Sequence, residues 1–283
     1  MDIRVTADAA SPTNFSAGAR PGATAHRRLP FLDALRGVLA LMVVVSHIAV
    51  WSGHHPWPQL ANIAVDGFFL VSGYVLALSY DGRFVAFVVR RFIRLWPVYA
   101  LCLTVGYWMH GMWPIAPELI WWPTDRMNAL GHTDKPVWTL YIEAWATPML
   151  PLLVAVARRN RSAGLAVAAG FMLAHLLIFH RDTTLYFSLF AVGVAVSQYD
   201  MKLPDAPGWA AWFGKQAYSL YLTNWLVLEA FARAFGDTGA LYAIPAVFFV
   251  SWAVWRGVER PSIRLSRRAS AAAWPLPWQR RPA

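Results

Sequence analysis

Residues 34–51 read ALRGVLALMVVVSHIAVW, an apolar run whose only polar side chains are Arg36, Ser46 and His47. A helix needs about 20 mostly apolar residues to cross roughly 30 Å of hydrocarbon, and this segment has nearly that length. Seven further segments have the same character, near 60–80, 92–110, 137–157, 162–180, 184–199, 216–235 and 239–258; that at 184–199 is short. Runs of this length read as helices, because a membrane β-barrel would show alternation with a period of two. The expected fold is therefore all-α: a polytopic membrane helix bundle of about eight transmembrane helices.

Composition agrees with this reading. Of the 283 residues 58% are hydrophobic and only 14% charged, with 16 Trp, and the mean hydropathy is +0.40. Soluble domains carry about 25% charge, so a soluble globular enzyme is excluded. A single cysteine, Cys102, excludes a disulfide framework and a Cys-based metal cluster. The net charge of +10 does not mark a nucleic-acid binder, because the basic residues stand at the ends of apolar segments.

Those basic residues set the orientation. Arg27 and Arg28, then Arg83, Arg90 and Arg91, then Arg158, Arg159 and Arg161, then Lys202 and Lys215, and finally Arg260, Arg264, Arg267 and Arg268 occupy every second connection. The alternate connections hold only Arg126, Lys135 and Arg181. With eight spans, the positive-inside rule puts both termini in the cytoplasm. Residues 1–28 read as a disordered cytoplasmic leader without the apolar centre of a signal peptide, 29–262 as the membrane domain, and 263–283 as a basic cytoplasmic tail, likewise disordered from about Ser266 to Ala283.

Ionisable groups at membrane depth are costly and mark function. His47 lies about 20 Å into the first span, and Asp66 and Glu143 fall at a similar level in theirs. His175 and Glu229 reach the same depth, so depth alone does not choose among them. The first span is more specific. Arg36 and His47 are eleven residues apart, about 1100° around the helix axis, within roughly 20° of three full turns. They share one face, about 16 Å apart, with a cation at the mouth and a potential base in the membrane. This geometry suits a long ligand with a phosphorylated head and a reactive far end. An Arg that only snorkels and a His that only bonds a neighbouring helix have equal standing from spacing alone. Arg91 and Arg94, three apart at the entrance to the third span, share a face and with Arg36 can cradle phosphate.

These residues also carry a resemblance. The stretch from Phe31 to His47, with an Arg and a His separated by ten residues, resembles the opening signature of the integral-membrane acyltransferase family 3. Further blocks follow in the family's order: Val65–Tyr74, Arg91–Pro97, Trp138–Glu143, Tyr218–Leu222 and Val258–Pro261. Three features depart from it. Relatives commonly have about ten spans, Ala144-Trp145-Ala146 replaces a polar-aromatic continuation, and Asn224 stands where many relatives carry His. Asn224 is accordingly given no catalytic role.

The resemblance implies a multi-pass protein of a bacterial inner membrane. It would move an acyl group, by default acetyl, from acyl-CoA to a hydroxyl of a cell-surface or lipid-linked saccharide. Arg36, Arg91 and Arg94 would hold the phosphates of the donor. His47 would act as general base or as a transient acyl-imidazole, with Asp66, ahead of Glu143, orienting it. Ser46 and Ser72 read as packing residues, and Trp121 and Trp122 as interfacial anchors. The expected partners are the bilayer, acyl-CoA and the saccharide, with no nucleic acid, no permanently bound cofactor and no metal site. His54, His55, His110 and His132 show no metal-ligand spacing. The competing function is a transporter or flippase of a surface-glycan pathway, which buried carboxylates would also suit. Transporters often carry two related halves, and none is visible here.

Overall fold

The computed structural model describes residues 29–53, 59–113, 116–119, 135–179, 182–236 and 238–273. The leader 1–28, residues 274–283, His54, His55, Trp121, Trp122, Arg126, His132 and Arg181 lie outside the described residues. Among the described residues every regular element is helical. In chain order these are α1 (Pro30–Trp51), α2 (Leu60–Ser79), α3 (Phe84–Met109), the short α4 (Ala116–Leu119), α5 (Trp138–Ala146), α6 (Leu150–Arg159), α7 (Arg161–Ala174), α8 (Asp182–Val196), α9 (Gly208–Gly214), α10 (Ala217–Phe235), the short α11 (Gly239–Tyr242), α12 (Ile244–Val254) and α13 (Arg260–Ala273).

Among the described residues four helices are long and apolar enough to cross a membrane: Pro30–Trp51, Leu60–Ser79, Trp138–Arg159 and Arg161–Ile178. The third of these joins α5 to α6 through a 3-10 turn, Thr147–Met149; Pro148 within it and Pro151 in the first turn of α6 cannot donate to the helix ladder. The helices α3, α8, α10 and α12 stand where the remaining spans are expected. Two differ from expectation. The third begins at Phe84 rather than near 92, because Arg90, Arg91 and Arg94 lie within the helix and depress its hydropathy. The last is broken after Tyr242 and resumes at Ile244, with Pro245 in the first turn.

A correction concerns the C-terminal segment. Residues from Ser266 onward, expected to lack structure, continue as α13 to Ala273. This helix packs along α3, with Ser262 and Ser266 buried against the bundle. A small-residue face provides what the composition alone obscures.

Glycines set the tightest contacts. A Cβ at Gly193 of α8 would land in the Leu70 carbonyl, and one at Gly73 of α2 in the Phe190 carbonyl. These two helices meet backbone to backbone, as helices do where lipid supplies no hydrophobic drive. Gly214 at the end of α9 meets the Asp33 carbonyl in the same way, which pins the first turn of α1 beside Arg36.

Candidate functional site

The face of α1 that carries Arg36, Ala40, Val43 and His47 turns into the bundle. Ala40 and Val43 are buried. His47 is only 8% exposed and faces α10. Its Nδ1 lies 2.6 Å from Asn224 Oδ1, and its ring meets the Trp225 ring edge-on at 5.0 Å. The Asn224 amide nitrogen is occupied, donating to the carbonyls of Leu220 at 2.9 Å and Tyr221 at 2.7 Å. Its oxygen must therefore face the imidazole, so Nδ1 carries the proton and donates. That bond selects the tautomer in which Nε2 is the basic nitrogen.

Sequence reasoning gave Asn224 no role, yet this residue fixes the imidazole. The available signal was its position two residues beyond the end of the Tyr218–Leu222 block. A hydrogen-bonding residue replaced by another hydrogen-bonding residue retains a partner for His47.

The three arginines meet at the other end of α1. Arg36 lies within electrostatic range of Arg91, Arg94, Glu143 and Asp33. Arg91 is ion-paired with Glu143, and Ser72 of α2 donates to the same carboxylate oxygen. Glu259, only 2% exposed, accepts from the Ser219 hydroxyl at 2.5 Å and from its backbone N–H at 3.2 Å. It also senses Arg94 and Arg36. Tyr218 closes the cluster, donating to the Leu95 carbonyl at 2.8 Å.

Glu143 thus joins the arginines, not His47, because α5 brings it to the basic end of α3. Asp66 stands elsewhere again. It is seven residues from Gly73, about 700° around α2 and roughly 20° from two full turns, so it lies on the face that meets α8. Ala64, Phe68 and Val71, on the opposite face of α2, belong to the core cluster that holds Leu39 and Val43 of α1. His175 is tied to α8 by Thr184 Oγ1 at 2.9 Å. Glu229 is joined to Arg233 and His110 at the end of the bundle away from the arginines.

A cavity of about 300 Å³ opens beside the Arg91–Glu143 pair, walled by Phe84, Val88, Phe92, Leu140 and Pro148. Pro148 belongs to the 3-10 turn that follows Glu143, so the break between α5 and α6 shapes this opening. Leu39, Val43, Tyr99 and Tyr221 belong to one buried core cluster. Among the described residues no group of three or more His, Cys, Asp or Glu is placed to hold a metal ion.

An all-helical membrane bundle with an arginine cluster at one end and a tautomer-fixed histidine eleven residues along the same helix face defines a class of membrane protein. Residues 29–207 match the family model described as an acyltransferase domain, and the chain belongs to this family, the acyltransferase 3 family. The chain is also similar to "Protein 2 in picA locus" of Rhizobium radiobacter, 38% identical over 85 residues. That match covers 28% of this chain and 44% of the relative, so the chain spans less than half the length of that protein. No solved structure matches.

Proposed function

We propose that this protein is a membrane O-acyltransferase that moves an acyl group, by default acetyl, from acyl-CoA to a hydroxyl of a cell-surface or lipid-linked saccharide. The observation that carries this reading is the shared buried face of Arg36 and His47, with the imidazole held in one tautomer by Asn224. Family membership supports it. The arginine end faces the cytoplasm, following the positive-inside rule, in the inner membrane of a bacterium. The CoA phosphates dock on Arg36, Arg91 and Arg94, and the pantetheine arm runs along α1 towards His47.

At the far end, His47 Nε2 takes the proton of the acceptor hydroxyl as its oxygen attacks the thioester carbonyl. The tetrahedral intermediate collapses, the carbon–sulfur bond breaks, and the thiolate takes the proton from the imidazolium. The products are an ester and free CoA, with no net proton change. Asn224 keeps Nδ1–H engaged throughout, and this is a positioning role. Glu143 neutralises part of the arginine cluster before the donor arrives.

The test is purified protein with radiolabelled acetyl-CoA, together with acyl analysis of the surface glycan from cells with and without the protein. His47→Ala and Arg36→Ala are expected to lose transfer while still accumulating in the membrane. Wild-type transfer by a folded His47→Ala protein overturns the proposal, as would movement of a solute without any acyl-CoA turnover.

A further inference from the structure

At the end of the bundle opposite the arginines, α3 and α10 are joined by one network. Arg233, in the last turn of α10, donates from Nη2 to Glu229 Oε1 at 2.6 Å and from Nη1 to the Met109 carbonyl at 2.7 Å. His110 bonds the Gly106 carbonyl through Nδ1 at 2.9 Å. Its Nε2 lies 3.2 Å from the same Glu229 oxygen and 2.8 Å from Arg233 Nη2. Arg233 is 46% exposed, whereas Glu229 is 3% exposed.

Both partners crowd Oε1. The second oxygen, Oε2, is buried and has no hydrogen-bond partner among the described residues, and neither has the indole nitrogen of Trp51. A buried acceptor left unpaired is costly and uncommon. A bracing role accounts for Oε1 and for the capped end of α3. It leaves Oε2 without a reason.

The position of Glu229 supplies one. The Trp225 ring lies 5.0 Å from the His47 ring and 5.1 Å from the Trp51 ring. Glu229 is one helical turn beyond Trp225 on the same face, about 6 Å further from the arginines, and Arg233 is one turn beyond that. A polar line therefore climbs from His47 and Asn224, past two indoles, to a buried carboxylate and a half-exposed guanidinium. It ends at the surface opposite the proposed donor entrance.

We infer that Glu229, with Arg233 against it and the Trp51 indole packed near Trp225 one turn away, holds a neutral acceptor saccharide by its hydroxyls while another hydroxyl of the same ring reaches His47. This rests on the proposed acyl transfer and adds where and how the acceptor binds. A sugar hydroxyl donates to Oε2, the guanidinium donates to a ring or hydroxyl oxygen, and an indole covers the apolar face of the sugar.

The experiment uses the full chain in nanodiscs with acetyl-CoA and the methyl glycosides of glucose, galactose, mannose and N-acetylglucosamine. Thiol release and the mass of the acetylated glycoside are followed. Wild-type protein acetylates at least one glycoside with saturable kinetics. Glu229→Gln raises the half-saturating glycoside concentration by roughly tenfold to a hundredfold, the effect of losing a hydrogen bond to a charged group. The half-saturating acetyl-CoA concentration does not follow, and Glu229→Asp recovers part of the loss. If Glu229→Gln fails to fold, Trp51→Leu at its half-buried position provides the second reading and shifts the glycoside dependence in the same direction. Unchanged glycoside dependence in a folded variant overturns the inference. So does a wild-type protein that splits acetyl-CoA in a His47-dependent manner yet acetylates none of the glycosides. Absence of any His47-dependent turnover instead overturns the acyltransferase reading itself.

Discussion

Asn224 Oδ1 approaches His47 Nδ1 to 2.6 Å across 177 residues of sequence. The same amide spends both donor positions on its own helix, so α10 presents an acceptor to α1 with no freedom to turn. This is the relation a carboxylate provides in a hydrolase triad, here made by a neutral side chain. The imidazole is oriented without an added buried charge, which saves the desolvation cost of a second ion at membrane depth.

Replacing Asn224 by Leu therefore removes the group that sets the tautomer. General-base catalysis contributes about 10²–10⁴-fold, and the expected loss in kcat is in the lower part of that range, smaller than for His47→Ala. The half-saturating acyl-CoA concentration is expected to change little. Equal effects on both constants in steady-state assays would identify Asn224 as a packing residue only.

The Arg91–Glu143 pair makes a different prediction. Removing one partner of a poorly solvated ion pair costs about 3–5 kcal/mol, so Glu143→Gln and Arg91→Gln each lower the melting temperature of the purified protein. The double variant is expected to lose less than the sum of the two. Additive losses in that double-mutant cycle would mean that the charges do not stabilise each other.

Glycine contacts predict folding. Gly193→Val pushes a side chain into the Leu70 carbonyl of α2; overpacking costs about 1–3 kcal/mol even where side chains can adjust, and a backbone carbonyl has less room to do so. Little monodisperse protein is expected. Gly170, with no atom within 4 Å of an added Cβ, is expected to accept Ala with a gain of up to about 1 kcal/mol. Size-exclusion profiles of the two variants provide the comparison.

Acid affects the turn between α2 and α3. Burial alone would raise the Asp81 carboxyl, but the Arg83 backbone N–H and the Arg90 guanidinium outweigh it and hold the group below its usual value. A depressed carboxyl contributes its stability above its unfolded pKa and loses it as pH falls through the folded one. The turn is expected to loosen only below the ordinary carboxylate range. Exposure keeps this effect small. Hydrogen exchange at residues 80–85, compared between wild type and Asp81→Asn, reads it; equal acid sensitivity in the two would exclude this carboxyl as the cause.

Much of the fold was legible because hydropathy and length act locally. The apolar runs at 34–51, 60–80, 137–157 and 162–180 became helices within a few residues of those bounds. The start of α3 was not legible, since Arg90, Arg91 and Arg94 look like a membrane boundary when hydropathy is averaged. They are tolerated inside a helix because Asp81, Glu143 and Glu259 lie nearby in space. The end of α13 was missed for a related reason: Arg264, Arg267 and Arg268 hide the Ser262 and Ser266 face that packs on the bundle.

The chain on its own determined which face of α1 matters. Arg36 and His47 are eleven positions apart, and helix geometry leaves no other arrangement once the segment is helical. It did not determine the partners of that face, because they come from α3, α5, α10 and the region just before α13. Their rotation about their own axes is set by packing between helices, not by local pattern. Hence Asp66 and Glu143 occupy similar depths in the sequence yet face different neighbours in the bundle, and Asn224, unremarkable in the chain, becomes the residue against the imidazole.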